Sequence, residues 1–218
     1  VHVDRHLHGP VEDGVAGRNL VGLRSESFGL VPQWEMSYGA EIRGAPVVDI
    51  RSGNLFVGSW NAVNDPSRGG ELHCIHASNG LPATYWGNSG SLSLSGGALL
   101  AGPWLDNSDG SLFFGTSDGR LWGVDAANGA VLFPPAAMDG KAGAFAATPL
   151  VVNGRIYAGT RNGRLYSVPL DNRDAFDVYA PEGTGSFDGS PSASGARPGS
   201  DVVVVGSTDG RVLAFPVQ

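Results

Sequence analysis

The chain has 218 residues, 34 of them glycine and 14 proline, with 41% hydrophobic and 16% charged side chains and a formal charge of −7. That length buries a sizeable core within one domain, and the glycine and proline content cuts it into short segments joined by tight turns while the hydrophobic content excludes a disordered chain. The acidic balance, with basic residues scattered rather than clustered, excludes a nucleic-acid or anionic-membrane surface, and the single Cys74 excludes an intramolecular disulfide and a cysteine-rich metal centre.

Taken in chain order, the first stretch, Val1–Ala16, carries no strand pattern. It holds His2, Asp4, His6 and His8, a candidate metal set in which His6 and His8 would share one face of an extended strand. The preferred reading of these four is a solvated terminus. No apolar run reaches the length of a membrane span and no signal peptide is present. Because the first residue is Val1 and the pattern starts partway through a unit, the expectation leans to part of a longer ring.

Four copies of one unit follow. Their first strand, A, carries a proline in Ala45-Pro46-Val47-Val48, Gly102-Pro103-Trp104-Leu105, Thr148-Pro149-Leu150-Val151 and Ser190-Pro191-Ser192-Ala193, spaced 57, 46 and 42 residues apart. The second, B, ends in glycine at Gly58, Gly115, Gly159 and Gly206. From that glycine to the first apolar residue of strand C, at Leu121, Leu165 and Val212, the interval is six residues in three copies. In the first copy, Gly58 to Leu72, it is fourteen, and the eight extra residues fall within Asn61–Gly70, NAVNDPSRGG, which has loop composition. Strand D is expected to close at Trp86, Phe133 or Tyr179.

Short strands recurring at this period, with Asp/Asn-Gly turns between them and no helical period, predict an all-β fold, a β-propeller of four-stranded antiparallel blades. The expected divisions are a partial blade at 1–33, blades at 34–86, 87–133 and 134–180, and a last blade at 181–218 without its outer strand. Gly17–Leu23 and Leu30–Trp34 read as the C and D strands of the partial unit. Two closures stay open: a small ring of four or five blades from this chain, or a share of a seven- or eight-bladed ring.

The stretch Phe114-Gly115-Thr116-Ser117-Asp118-Gly119-Arg120-Leu121-Trp122-Gly123-Val124-Asp125-Ala126-Ala127-Asn128-Gly129 resembles the repeat of pyrroloquinoline-quinone-type propellers. The resemblance runs from about residue 17 to 218 and returns at Asn162-Gly163-Arg164-Leu165-Tyr166 and at Ser207-Thr208-Asp209-Gly210-Arg211-Val212. It implies a propeller and leaves the activity open, because that family holds quinone-dependent dehydrogenases and also propellers that bind no quinone and serve as scaffolds. The dehydrogenases add a vicinal cysteine pair and an ion held by carboxylates, and neither is visible in this sequence. Pyrroloquinoline quinone and Ca²⁺ are therefore expected only under the alternative, a portion of an alcohol or sugar dehydrogenase. An extracytoplasmic location is implied by the resemblance alone.

Four further groups are weighed. Family geometry puts Trp60, Trp104 and Arg161 near the channel or its mouth, where a planar ligand could stack, with packing between blades as the competing reading. His73, Cys74 and His76 look like ligands, but aligning the copies sets Cys74 at the small position of Gly123 and His76 at that of Asp125, with His73 pointing the other way. Trp34, Trp86, Phe133 and Tyr179 are expected to be packing residues. No G-x-S-x-G elbow or phosphate loop is present. The expected function is a non-catalytic scaffold or protein-interaction module with a protein partner, no nucleic acid and no membrane span.

Overall fold

Apolar runs set the strands and glycines set where they start. Asn54, Ser111 and Arg155 each open a strand directly after a glycine at φ 72°, 81° and 72°, a backbone state that glycine alone adopts without strain. The computed structural model describes residues 19–27, 29–38, 40–60, 69–94, 96–194 and 202–217. The His2, Asp4, His6 and His8 set and most of the Asn61–Gly70 insertion lie outside these residues.

The described strands fall into five antiparallel sheets. Strands β1 (Asn19–Glu26) and β2 (Gly29–Ser37) form a hairpin. The first blade is β3 (Val47–Asp49), β4 (Asn54–Trp60), β5 (Gly70–His76) and β6 (Ser91–Leu94). The second is β7 (Trp104–Leu105), β8 (Ser111–Gly115), β9 (Arg120–Asp125) and β10 (Val131–Ala137). The third is β11 (Leu150–Val152), β12 (Arg155–Gly159), β13 (Leu165–Pro169) and β14 (Asp177–Tyr179), with a 3-10 turn at Arg173–Ala175 before its last strand. A three-stranded sheet of β15 (Ser192–Ala193), β16 (Val202–Gly206) and β17 (Val212–Pro216) follows. Each inner strand begins just after its proline, which cannot donate to a ladder. Among the described residues no helix is long and apolar enough to cross a membrane.

The six-residue interval has a physical cause. The strand-B glycine, which ends its strand in three copies and is followed by Ser59 and Trp60 in the first, is the ladder partner of the first apolar residue of strand C in every copy: Gly58 with Leu72, Gly115 with Leu121, Gly159 with Leu165 and Gly206 with Val212. A turn of any length can join them, so the insertion leaves the register intact.

Two outer strands differ from expectation, since that of the second blade runs past Phe133 to Ala137. The outer strand of the first blade is Ser91–Leu94, and Trp86 sits in a turn before it. The connection folds back on strand C, with Ala83 N–H donating to Cys74 O (2.9 Å) and Cys74 N–H to Gly90 O (2.8 Å), which pushes the outer strand downstream. The Trp86 ring drops instead into the joint with the second blade, tilted against Phe56 at 5.7 Å.

The core lies between blades. Phe56, Leu72 and Cys74 of the first blade meet Leu112, Phe114, Trp122 and Val124 of the second. Phe113 and Leu121 of the second meet Ile156, Ala158, Tyr166 and Val168 of the third. Tyr157 and Leu165 of the third meet Val203, Val205 and Phe215 of the last sheet. Trp34 packs the hairpin onto the first blade and donates its indole N–H to Ala77 O (3.0 Å). Tyr179 tilts against Phe215 at 5.0 Å.

Candidate functional site

The turns joining strands B and C share one face, and their chemistry repeats. A hydroxyl follows the strand-B glycine of each copy, at Ser59, Thr116, Thr160 and Ser207. Thr116 donates to Asp118 Oδ1 (2.5 Å), Thr160 to Asn162 Oδ1 (2.7 Å), and Ser207 to Asp209, while the backbone N–H of each reaches the carbonyl four residues on at 2.9 Å. The residue after the hydroxyl is tied to the segment that enters the blade. Ser117 donates to Ala98 O, Arg161 to Ala144 O and Thr208 to Ser186 O, all at 2.9 Å, and Trp60 exchanges both backbone bonds with Glu41 (2.8 and 3.1 Å). These bonds fix the loops of this face to the blade body.

Trp60 and Arg161 therefore hold equivalent positions two blades apart. Trp60 is half-buried, with the Arg43 guanidinium over its ring at 4.0 Å and Arg43 in turn paired with Glu41 at 2.8 Å. Arg161 is exposed and stands 3.7 Å from Asp188. Trp104 belongs to inner strand β7, is half-buried, and packs against the clusters of the second, third and last sheets.

The same entering segments lock neighbouring blades together, a feature the repeat alignment missed. A Cβ added to Gly58 would fall 2.7 Å from Leu99 Cγ, one on Gly115 2.5 Å from Phe145 Cγ, and one on Gly159 2.6 Å from Phe187 Cβ. Phe145 N–H donates to Thr116 O (3.2 Å) and Phe187 N–H to Thr160 O (3.0 Å). Leu99, Phe145 and Phe187 each stand four residues before the strand-A proline, as does Ile42, so a fixed-offset search would have found them.

In the first copy the residue two on, Asn61, lies outside the described residues, and Ser59 hydrogen-bonds His73 Nε2 at 2.8 Å. Both are buried, Tyr38 stacks on the imidazole at 4.1 Å, and Glu71 Oε2 stands 3.8 Å from the same Nε2. A hydrolytic triad needs serine on one ring nitrogen and the acid on the other, with the serine facing substrate. Here serine and acid approach one nitrogen and Ser59 is sealed, so the cluster is packing, in the position of Trp122 and Tyr166. Cys74 lies in the core between blades, partner of Phe56 as Gly123 is of Phe113, and burial pushes its thiol up to about 12. His76 replaces Asp125: Gly80 N–H donates to its carbonyl and Gly129 N–H to that of Asp125, both at 2.8 Å. Among the described residues no group of three or more His, Cys, Asp or Glu side chains comes together to hold a metal ion.

Burial lowers His73 from 6.5 to about 4. Between those values the unfolded chain takes up a proton that the folded one refuses, so this contribution is full above about pH 6.5 and is lost as pH falls toward 4. Thermal melts should show stability declining across that window, with about 3 kcal/mol owed to His73. His73→Phe should flatten this part of the profile, and an unchanged slope would remove His73 as its cause.

Comparison with known proteins bears on the fold and family. A family model described as outer membrane protein assembly factor BamB matches residues 32–218. No curated protein matches the chain. Among solved structures, BamB from Moraxella catarrhalis superposes with a TM-score of 0.62 at 18% identity, covering 92% of this chain and 52% of that one. Sqt1 from Saccharomyces cerevisiae gives 0.62 at 12% identity, covering 87% and 50%. The computationally designed Ika4 protein gives 0.55 at 12% identity, covering 84% and 94%. The chain spans about half the length of the BamB and Sqt1 structures, and at these identities the likeness concerns the fold.

Proposed function

We propose that this chain, which belongs to the family of the outer membrane protein assembly factor BamB, is a non-catalytic scaffold that holds a partner protein on the loop face of its blades. The family match over residues 32–218 carries the reading. The loop face supports it, because its B–C turns are already fixed by backbone bonds and little ordering remains to oppose binding. Trp60 and Arg161 are the contacts assigned to the partner, and Trp104 supports the loops from within the packing. The partner is assigned to outer-membrane assembly and the location to the extracytoplasmic side, both from the family description alone.

The test is co-purification with outer-membrane assembly proteins from the protein's own cells, followed by affinity measurement on the purified pair. Trp60→Ala should weaken the pair roughly tenfold or more, as a central aromatic contact does. Tight binding of pyrroloquinoline quinone with Ca²⁺, accompanied by dye-linked alcohol oxidation, would overturn the scaffold reading in favour of a dehydrogenase.

A further inference from the structure

Four Asn-Gly pairs occur in the chain, at Asn79, Asn128, Asn153 and Asn162, and the fold treats one of them differently. Asparagine before glycine is chemically labile, because no Cβ shields the glycine nitrogen from the asparagine Cγ. In three pairs both reacting groups are occupied. Gly80 N–H donates to His76 O (2.8 Å), Gly129 N–H to Asp125 O (2.8 Å) and Gly163 N–H to Thr160 O (3.2 Å). Their asparagines are held as well: Asn79 Oδ1 accepts from Leu81 N–H at 2.9 Å, Asn128 Oδ1 from Ala130 N–H at 2.7 Å, and Asn162 Oδ1 from the Thr160 hydroxyl at 2.7 Å. Asn128 and Asn162 also donate, to Asp125 Oδ2 (3.0 Å) and Lys141 O (2.6 Å).

Asn153-Gly154 is the turn between β11 and β12, closed by the Val152–Arg155 ladder pair. Both residues are exposed and both have positive φ, 50° and 72°, as a type I′ hairpin requires. In such a turn the ladder bonds belong to the flanking residues. Among the described residues the Gly154 N–H has no acceptor and the Asn153 side chain has no hydrogen-bond partner, although the Gly154 carbonyl accepts from Leu170 N–H at 2.9 Å. The nucleophile and the amide it attacks are therefore both available here and in none of the other pairs.

We propose that Asn153 is a site of spontaneous covalent modification, deamidating to aspartate and isoaspartate while the other three Asn-Gly pairs are protected by the fold. Base removes the Gly154 N–H proton, and the nitrogen forms a bond to Asn153 Cγ. The Cγ–Nδ2 bond breaks and ammonia leaves with a proton from solvent, closing a cyclic imide. Water then opens the ring at either carbonyl, and no oxidant or reductant takes part. Either product adds a negative charge, and isoaspartate also lengthens a loop whose length sets the β11–β12 register. The turn lies at the opposite end of β12 from Thr160 and Arg161, so the inference is independent of the scaffold reading.

The test is peptide mapping by mass spectrometry of the folded full chain after storage in warm, mildly alkaline buffer, with aspartate and isoaspartate products separated by chromatography. Asn153 should convert roughly tenfold or more faster than Asn79, Asn128 and Asn162, each of which must first break two hydrogen bonds. The same chain unfolded in guanidinium should convert all four at similar rates, because the protection is structural. Equal rates in the folded protein would overturn the proposal, as would a lead for Asn153 that persists in guanidinium and so owes nothing to the fold. Asn153→Gly, which suits the positive φ, should remove the fast component while the protein stays folded, and a fast component surviving it would place the reaction elsewhere.

Discussion

Gly115→Ala is expected to destabilise the protein by about 2–3 kcal/mol, although alanine is the better residue for a strand on entropic grounds. The new Cβ would lie 2.5 Å from Phe145 Cγ, inside any real contact distance. Gly115 is not in the left-handed region, so backbone strain adds nothing and the cost is steric. Phe145 cannot retreat, because it is fully buried, set at an edge against Tyr166 at 5.9 Å, and held by its N–H bond to Thr116 O. A chain of this size should lose roughly 5–10 °C in melting temperature. A shift under about 1 °C would mean that the blades slide to make room and that the glycine is not what sets their spacing.

How much of this was legible in the sequence follows from which contacts are local. The B–C turns are local, so their spacing gave the repeat, the register and the place of Cys74 and His76 without coordinates. Contacts between blades join residues about 30 to 45 positions apart, such as Gly115 with Phe145 and Gly58 with Leu99, and are visible only if an offset from the strand-A proline is searched. Trp86 was misplaced in its strand because an aromatic at the end of a unit reads the same whether it closes a strand or fills a joint. The Ser59–His73 pair was missed because it joins two strands across the insertion, and the second and third copies carry Trp122 and Tyr166 at the position of the histidine, so no repeat of the pair reveals it.

The largest single loss is expected at Trp86. Its ring is fully buried between two blades, against Phe56 on one side, and a Cβ on Gly129 of the next blade would come within 3.0 Å of its Cδ2. Gly87 N–H, the adjacent group, donates to Asn128 O at 2.9 Å, so the turn is anchored to the second blade and cannot collapse inward to fill a void. Trp86→Ala should therefore cost about 3–5 kcal/mol, the upper range for a buried aromatic that leaves a cavity. Its indole N–H is buried with no hydrogen-bond partner among the described residues, so Trp86→Phe gives up volume but no bond and should recover more than half of that loss. Hydrogen exchange provides the sharper readout. Because the ring joins blades, Trp86→Ala should accelerate exchange in β8 and β9 as well as in β4 and β5. Acceleration confined to β4 and β5 would show that Trp86 stabilises its own blade alone, and that the joint is held by the glycine contacts instead.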